Sequence, residues 1–197
     1  MFKRMSVLVR RPDQDRETFS RLWRRHAAPV SGLPRVRGYI QNHIEEEFSA
    51  ASPIRADGFV ELLWDRPEDM AAAFASEAAK PMVEDEPGFL GHGSGYALKA
   101  ATPLREAPGG KLIVALADGD GVDIEAAAAG MAGLSAVLRD TVVELIAKPN
   151  MAPPQPASAF VHLWFDTVRS ARAAAPALAA QGGGRMGVFR VSTIRFV

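Results

Sequence analysis

The histidines of this 197-residue chain, and one line of alternating polar residues, are the groups whose types and spacing could do chemistry. Tyr39, Gln41 and His43 alternate with Ile40, Asn42 and Ile44. On a strand the first three share one face and the others take the opposite face. A polar line on a strand buried from both sides needs partners or a wet cavity. It reads as a pocket wall, whose Tyr39 and His43 orient a carbonyl or phenol and move protons, or as a rim strand facing water. His26 recurs with Phe19, Leu22, Trp23, Ala27 and Val30 at helical spacing. An imidazole on that apolar stripe titrates near neutral pH and could be a general base or a donor at a pocket mouth. The alternative is a core-edge histidine bonded to a backbone carbonyl. Glu61 sits between Phe59 and Leu63 on one face of an apolar stretch. It could orient His26 or His43, or pair with an arginine such as Arg10 or Arg37. The expected catalytic set is His26, His43 and Tyr39. The expected substrate-binding set is Trp23, Gln41, Phe59 and Glu61, with Trp23, Phe59 and Tyr39 as apolar walls.

Other chemistries find less support. The chain has no cysteine, which excludes disulfides, thiolate nucleophiles and Cys-ligated metal sites. No H-x-H or H-E-x-x-H spacing occurs, so neither a metal nor an organic cofactor is expected. Gly88 to Tyr96 is glycine-rich but lacks the following helix and Lys-Ser/Thr pair of a phosphate loop. It reads as a flexible loop with His92 exposed. Lysines plus arginines equal the acidic residues at 23 each, and no long basic run exists, so no nucleic-acid partner is expected. No apolar stretch approaches the roughly 18 residues of a membrane span. No membrane partner and a cytoplasmic location are the expectation.

The elements that must position these residues repeat. Gly58-Phe-Val-Glu-Leu-Leu-Trp-Asp65 parallels Ala159-Phe-Val-His-Leu-Trp-Phe-Asp166, and an Ala-rich helical stretch follows each. His162 takes the place of Glu61 in the second stretch; if both point inward, they mark one layer. More loosely, strands at 4–11 and 111–117 correspond, as do helices at 15–30 and 123–138. Further strands are expected at 38–45 and 141–148, and closing strands at 96–100 and 192–197. Asp15 is a suitable N-cap for the first helix. Arg16, Arg21, Arg24 and Arg25 fall mostly off its apolar stripe and read as a solvated face. Each half thus runs strand, helix, strand, strand, helix, strand, the ferredoxin-like order. The expected domains are residues 1–100, a Pro- and Gly-containing linker at 101–110, and a degenerate second unit at 111–197.

These residues also resemble a known family. Phe19-Ser-Arg-Leu-Trp-Arg-Arg-His-Ala-Ala-Pro-Val30 is similar to the F-x-x-x-W-x-x-x-H-A-P element of the EthD family, named for ethyl tert-butyl ether degradation. Arg37 to His43 resembles its second strand and Asp57 to Asp65 its D-G-x-x-E-L-x-x-D third strand. One departure is the extra residue between His26 and Pro29. The second half has no counterpart of His26, Tyr39 or His43. The resemblance implies a dimeric α+β barrel fold, whose relatives include polyketide cyclases and dehydratases, antibiotic-biosynthesis monooxygenases and haem-degrading enzymes.

The fold class expected from all this is α+β, with two tandem ferredoxin-like βαββαβ units packing sheet to sheet as an intramolecular dimeric α+β barrel. The chain would be a monomer or a homodimer of it. The expected function is a small-molecule enzyme acting by His-mediated proton transfer on a hydrophobic or aromatic substrate, as a cyclase, dehydratase or cofactor-free oxygenase. The alternatives are a non-catalytic ligand-binding accessory protein and a purely structural homo-oligomer.

Overall fold

The computed structural model describes residues 1–49, 52–99, 109–117, 122–148, 151–182 and 184–197. The chain runs β1 (Phe2–Arg10), α1 (Arg16–Arg25), α2 (Ala27–Ser31), β2 (Gly38–Glu47), β3 (Gly58–Trp64), α3 (Pro67–Phe74), α4 (Lys80–Asp85) and β4 (Leu90–Leu98). It continues through β5 (Gly110–Leu116), α5 (Ile124–Ala128), β6 (Leu134–Ala147), β7 (Ala159–Phe165), α6 (Val168–Gln181) and β8 (Met186–Arg195). The eight strands pair in the order β1-β3-β2-β8-β5-β7-β6-β4, and the sheet closes on itself.

This closure overturns the expected fold class. There are not two units stacked sheet to sheet but one closed antiparallel barrel. β2 pairs with β8 from Ile40–Arg195 to Glu47–Phe189. β4 pairs with β6 from Ser94–Ala147 to Leu98–Val142. An open sheet edge leaves rows of unpaired N–H and C=O groups, and barrel closure removes them. The dimeric-barrel and tandem-repeat descriptions therefore give way to a single barrel with helices on its outside. Most of the expected linker, residues 101–108, lies outside the described residues.

Three local expectations also change. The helix expected at 15–30 breaks at His26. Asp15 caps α1 by accepting from the Thr18 amide at 2.7 Å, but Pro29 has no N–H for the Arg25 carbonyl, so the chain restarts as α2. The helix expected at 123–138 ends after α5, because Gly130 and Gly133 take left-handed φ values of 82° and 75°. The β-branched and leucine-rich remainder joins β6. The glycine-rich stretch expected to be a loop is mostly β4. A Cβ on Gly95 would lie 2.9 Å from the Ile146 carbonyl, so glycine is what lets β6 approach there.

Alternation along the strands gives the sheet two buried faces. Met5, Val7, Ile44, Phe59, Tyr96, Ile113, Phe160 and Phe189 fill the barrel. On the outside, Leu8, Tyr39, Val60, Leu62 and Trp64 meet Phe19, Trp23, Met82 and Phe89. A second outer layer packs α5 and α6 on β5, β7 and β8. Among the described residues, no helix is long and apolar enough to cross a membrane.

Candidate functional site

The outer layer beneath α1 to α4 is incompletely filled. A small cavity of about 40 Å³ lies between Leu8, Tyr39, Val60 and Leu62 of the sheet and Trp23, His26, Val30, Phe74, Met82 and Phe89 above it. Arg4, Glu86 and Lys148 also line this cavity. They continue into an open groove bordered by Met70, Val83, Pro87 and Met151. The walls are thus apolar and aromatic, with a few convergent polar groups, as small-molecule sites generally are.

His26 is placed by the break between α1 and α2. Its amide still bonds the Leu22 carbonyl at 3.1 Å. Its ring packs on Phe89 with centroids 4.9 Å apart, and Nδ1 lies 2.8 Å from Asp85 Oδ2. An ionised carboxylate only accepts, so Nδ1 carries the proton and Nε2 of the neutral ring holds the lone pair. Burial pulls the pKa of His26 down, against the Asp85 hydrogen bond and the charges of Glu86 and Asp85. The result is a buried imidazole oriented by a carboxylate that is itself half exposed.

Tyr39, Gln41 and His43 share the helix side of β2 and form one chain of hydrogen bonds. The Gln41 amide nitrogen lies 2.7 Å from the Trp23 carbonyl and 2.6 Å from the Tyr39 hydroxyl. A carbonyl only accepts, which fixes the amide orientation: Gln41 donates to both, and its Oε1 faces His43. His43 Nε2, 2.9 Å from that oxygen, must then donate. His43 Nδ1 accepts from the Ser20 hydroxyl at 2.8 Å. Both ring nitrogens are engaged, and the ring lies against Trp23 at 4.3 Å. Burial, helped by the Arg24 charge, lowers the His43 pKa to about 3. Tyr39 accepts from Gln41, so its own proton remains available to donate; burial raises its pKa. Of the residues expected from sequence, Trp23, His26 and Tyr39 line the cavity; Gln41 and His43 do not, and His43 borders a separate open groove with Ser20 and Arg24.

Phe59 and Glu61 are on the other side of the sheet. Phe59 packs inside the barrel against Phe189 at 5.3 Å. Glu61 meets neither His26 nor His43, and neither Arg10 nor Arg37. It accepts from Lys111 and Asn42, each at 2.8 Å, and pairs with Lys3 at 2.8 Å. Lys3 also bonds Asp140 at 2.6 Å. His162 lies 3.8 Å from Glu61 and 3.1 Å from Asp140, so Glu61 and His162 do occupy one layer. Burial opposes ionisation of Glu61, but Lys111 and Lys3 hold its pKa well below the ordinary carboxylate value. Glu61, Asp140 and His162 are close enough to ligate one ion. Their carboxylates are already neutralised by two ammonium groups, so a cation there would have to displace a lysine.

Sequence reasoning missed Arg4, Asp85, Glu86 and Lys148. The first is one of two successive charges, Lys3-Arg4, opening an apolar strand; strand alternation sends one to each buried face, and that was the available signal. The other three come from two remote segments, Asp85-Glu86 and Lys148, that only the fold brings to the cavity.

The fold and cavity define a class: an eight-stranded antiparallel barrel with a helix-covered apolar site on its outer face. Residues 11–93, which carry His26, Tyr39 and most of the cavity lining, match the model of the EthD domain family. No curated protein matches the chain by sequence. Among solved structures, one described as an anthrone oxidase-like protein is similar at 11% identity and a TM-score of 0.58, covering 98% of this chain and 92% of its own. A protein of Lactobacillus acidophilus assigned as a monooxygenase is similar at 10% identity and 0.51, covering 98% and 93%. Another so assigned, from Fusobacterium nucleatum, is similar at 9% identity and 0.54, covering 98% and 91%. At such identities the likeness is one of fold.

Proposed function

We propose that this protein is a cofactor-free oxygenase-type enzyme that binds a hydrophobic aromatic molecule between α1 to α4 and the sheet. The observation that carries the reading is the Asp85–His26 pair presenting a buried imidazole to an aromatic-lined cavity. His26 takes a proton from an activated ring carbon, and Asp85 stabilises the imidazolium that forms. Lowering of the His26 pKa by burial keeps the ring neutral, the form a base needs. Tyr39 donates its hydroxyl proton to the oxygen on which charge develops. His43 and Gln41 act as positioning residues: a carboxamide passes on no proton, and the array fixes the Tyr39 hydroxyl instead. The resulting substrate anion is electron-rich enough to react with dioxygen directly. In net terms a ring CH2 and dioxygen become C=O and water. The likeness to structures described as anthrone oxidase-like and monooxygenase is the reason to choose oxygenation over cyclisation or dehydration.

The test is oxygen uptake with anthrone as probe, compared with the same solution lacking protein. The expected result is one dioxygen consumed per anthraquinone formed, with His26→Ala slowing the accelerated reaction by about 10²- to 10⁴-fold. Uptake no faster than without protein, with anthrone bound, makes the protein a non-catalytic binder.

A further inference from the structure

We propose that the cavity is built for an aromatic molecule bearing an anionic oxygen, carboxylate or ionised phenol or enol, which seats on Arg4. The inference rests on the reading of the cavity as a small-molecule site and adds the charge of its ligand.

Arg4 leaves β1 toward the helices, while its neighbours Lys3 and Met5 enter the barrel. It is only 7% exposed. Its Nε has no hydrogen-bond partner among the described residues, and its guanidinium forms no ion pair there. What it does touch is apolar: the guanidinium carbon stands 4.6 Å over the Phe74 ring. A buried charge without a counter-charge is retained at a cost, and such groups concentrate at binding sites.

The other ionisable groups at the cavity do not supply the missing charge. Glu86 is paired with Lys148. Burial lowers the His26 pKa and raises that of Tyr39, which keeps both neutral. Burial also lowers the Arg4 pKa to about 10, against the Glu86 charge, so Arg4 stays protonated at neutral pH. The lining therefore carries one uncompensated positive charge in an aromatic wall. That combination fits an aryl anion, whose ring takes the place of solvent and whose oxygen accepts from the guanidinium. The seat is also shaped for Arg4: a Cβ on Gly95 would lie 2.9 Å from its terminal nitrogen.

Naphthoate and its neutral analogue naphthamide separate the charge from the ring. Calorimetric titration of the intact chain should show naphthoate bound at least about tenfold tighter than naphthamide, the scale of one charge-assisted contact. Arg4→Met should erase that preference and leave naphthamide affinity intact, while Arg4→Lys keeps part of it. The melting temperature of Arg4→Met should hold or rise, because an unpaired buried cation is removed. Equal binding of both probes by the wild type, or a preference that survives in Arg4→Met, overturns the proposal; the latter would move the anion to the exposed arginines of α1. A melting temperature that falls in Arg4→Met, with naphthamide binding lost along with naphthoate binding, also overturns it, since Arg4 would then be structural. If neither probe binds, the small-molecule reading falls with it.

Discussion

Replacing Glu61 by Gln isolates the charged network inside the barrel. The carboxylate accepts from Lys3, Lys111 and Asn42, and its side chain is 3% exposed. Glutamine keeps the shape but leaves two buried ammonium groups facing one remaining carboxylate, Asp140. Removing one partner of a buried ion pair costs about 3–5 kcal/mol. For a domain of this size each kcal/mol moves the melting temperature by about 2–4 °C. The expected fall is therefore about 6–20 °C, measured by circular dichroism at neutral pH. The pH dependence has a definite sign. The folded-state pKa of Glu61 is depressed by Lys111 and Lys3. Its contribution is then complete above the unfolded value of about 4.3 and is lost as pH falls toward the folded value. The gap between wild type and Glu61→Gln should be constant from pH 6 to 8 and narrow in acid, on the ~pH 4.3 scale of an ordinary carboxylate. A fall of less than about 1 kcal/mol at neutral pH would refute the reasoning, because it would mean the lysines are not held by this carboxylate.

Two further perturbations probe the outer face. His43 should show no protonation by NMR until the pH approaches about 3. Because that value is below the ~6.5 of an unfolded histidine, stability should decline as pH drops from there, the unfolded chain taking the extra proton; a His43 titration near neutral pH would break the assigned array. Gly58→Ala would put a Cβ 2.3 Å from the Trp23 ring. Overpacking of this kind costs about 1–3 kcal/mol, and Trp23 borders the cavity, so weaker naphthamide binding should accompany the lower stability; unchanged Trp23 emission and affinity would show that α1 yields freely.

What the sequence disclosed was local. The stripe through Phe19, Trp23 and His26, and the alternation of Tyr39, Gln41 and His43, are periodicities that hold whatever the rest of the chain does. Strand alternation also separated Tyr39 from Asn42 correctly. It could not say on which side Glu61 lay relative to them, because that depends on the register between β2 and β3. There Ile40 lies opposite Glu61, which puts the carboxylate with the barrel-facing set. The alanines after Asp123 favour helix locally, yet the backbone turns left-handed at Gly130, and the apolar residues beyond gain more by closing the barrel as β6. The partners of His26 and Glu61 are likewise remote: Asp85 is 59 residues from His26, and Lys111 is 50 from Glu61. No spacing rule reaches that far.

The two buried faces treat charge differently, and the contrast bears on function. Lys3 and Arg4 are consecutive and both are almost wholly buried. Inside the barrel Lys3 meets Glu61 and Asp140, and Lys111 meets Glu61, so two cations face two carboxylates. One residue along, Arg4 stands over an aromatic ring and forms no ion pair among the described residues, Glu86 being paired with Lys148. Folding alone selects compensated charges, since each uncompensated one is a standing cost. The interior network satisfies that requirement and needs no ligand to explain it. Arg4 does not satisfy it, and it borders the one described cavity shared with His26 and Tyr39. The difference between adjacent residues of one strand thus separates a group that holds the barrel from a group whose partner arrives from solution.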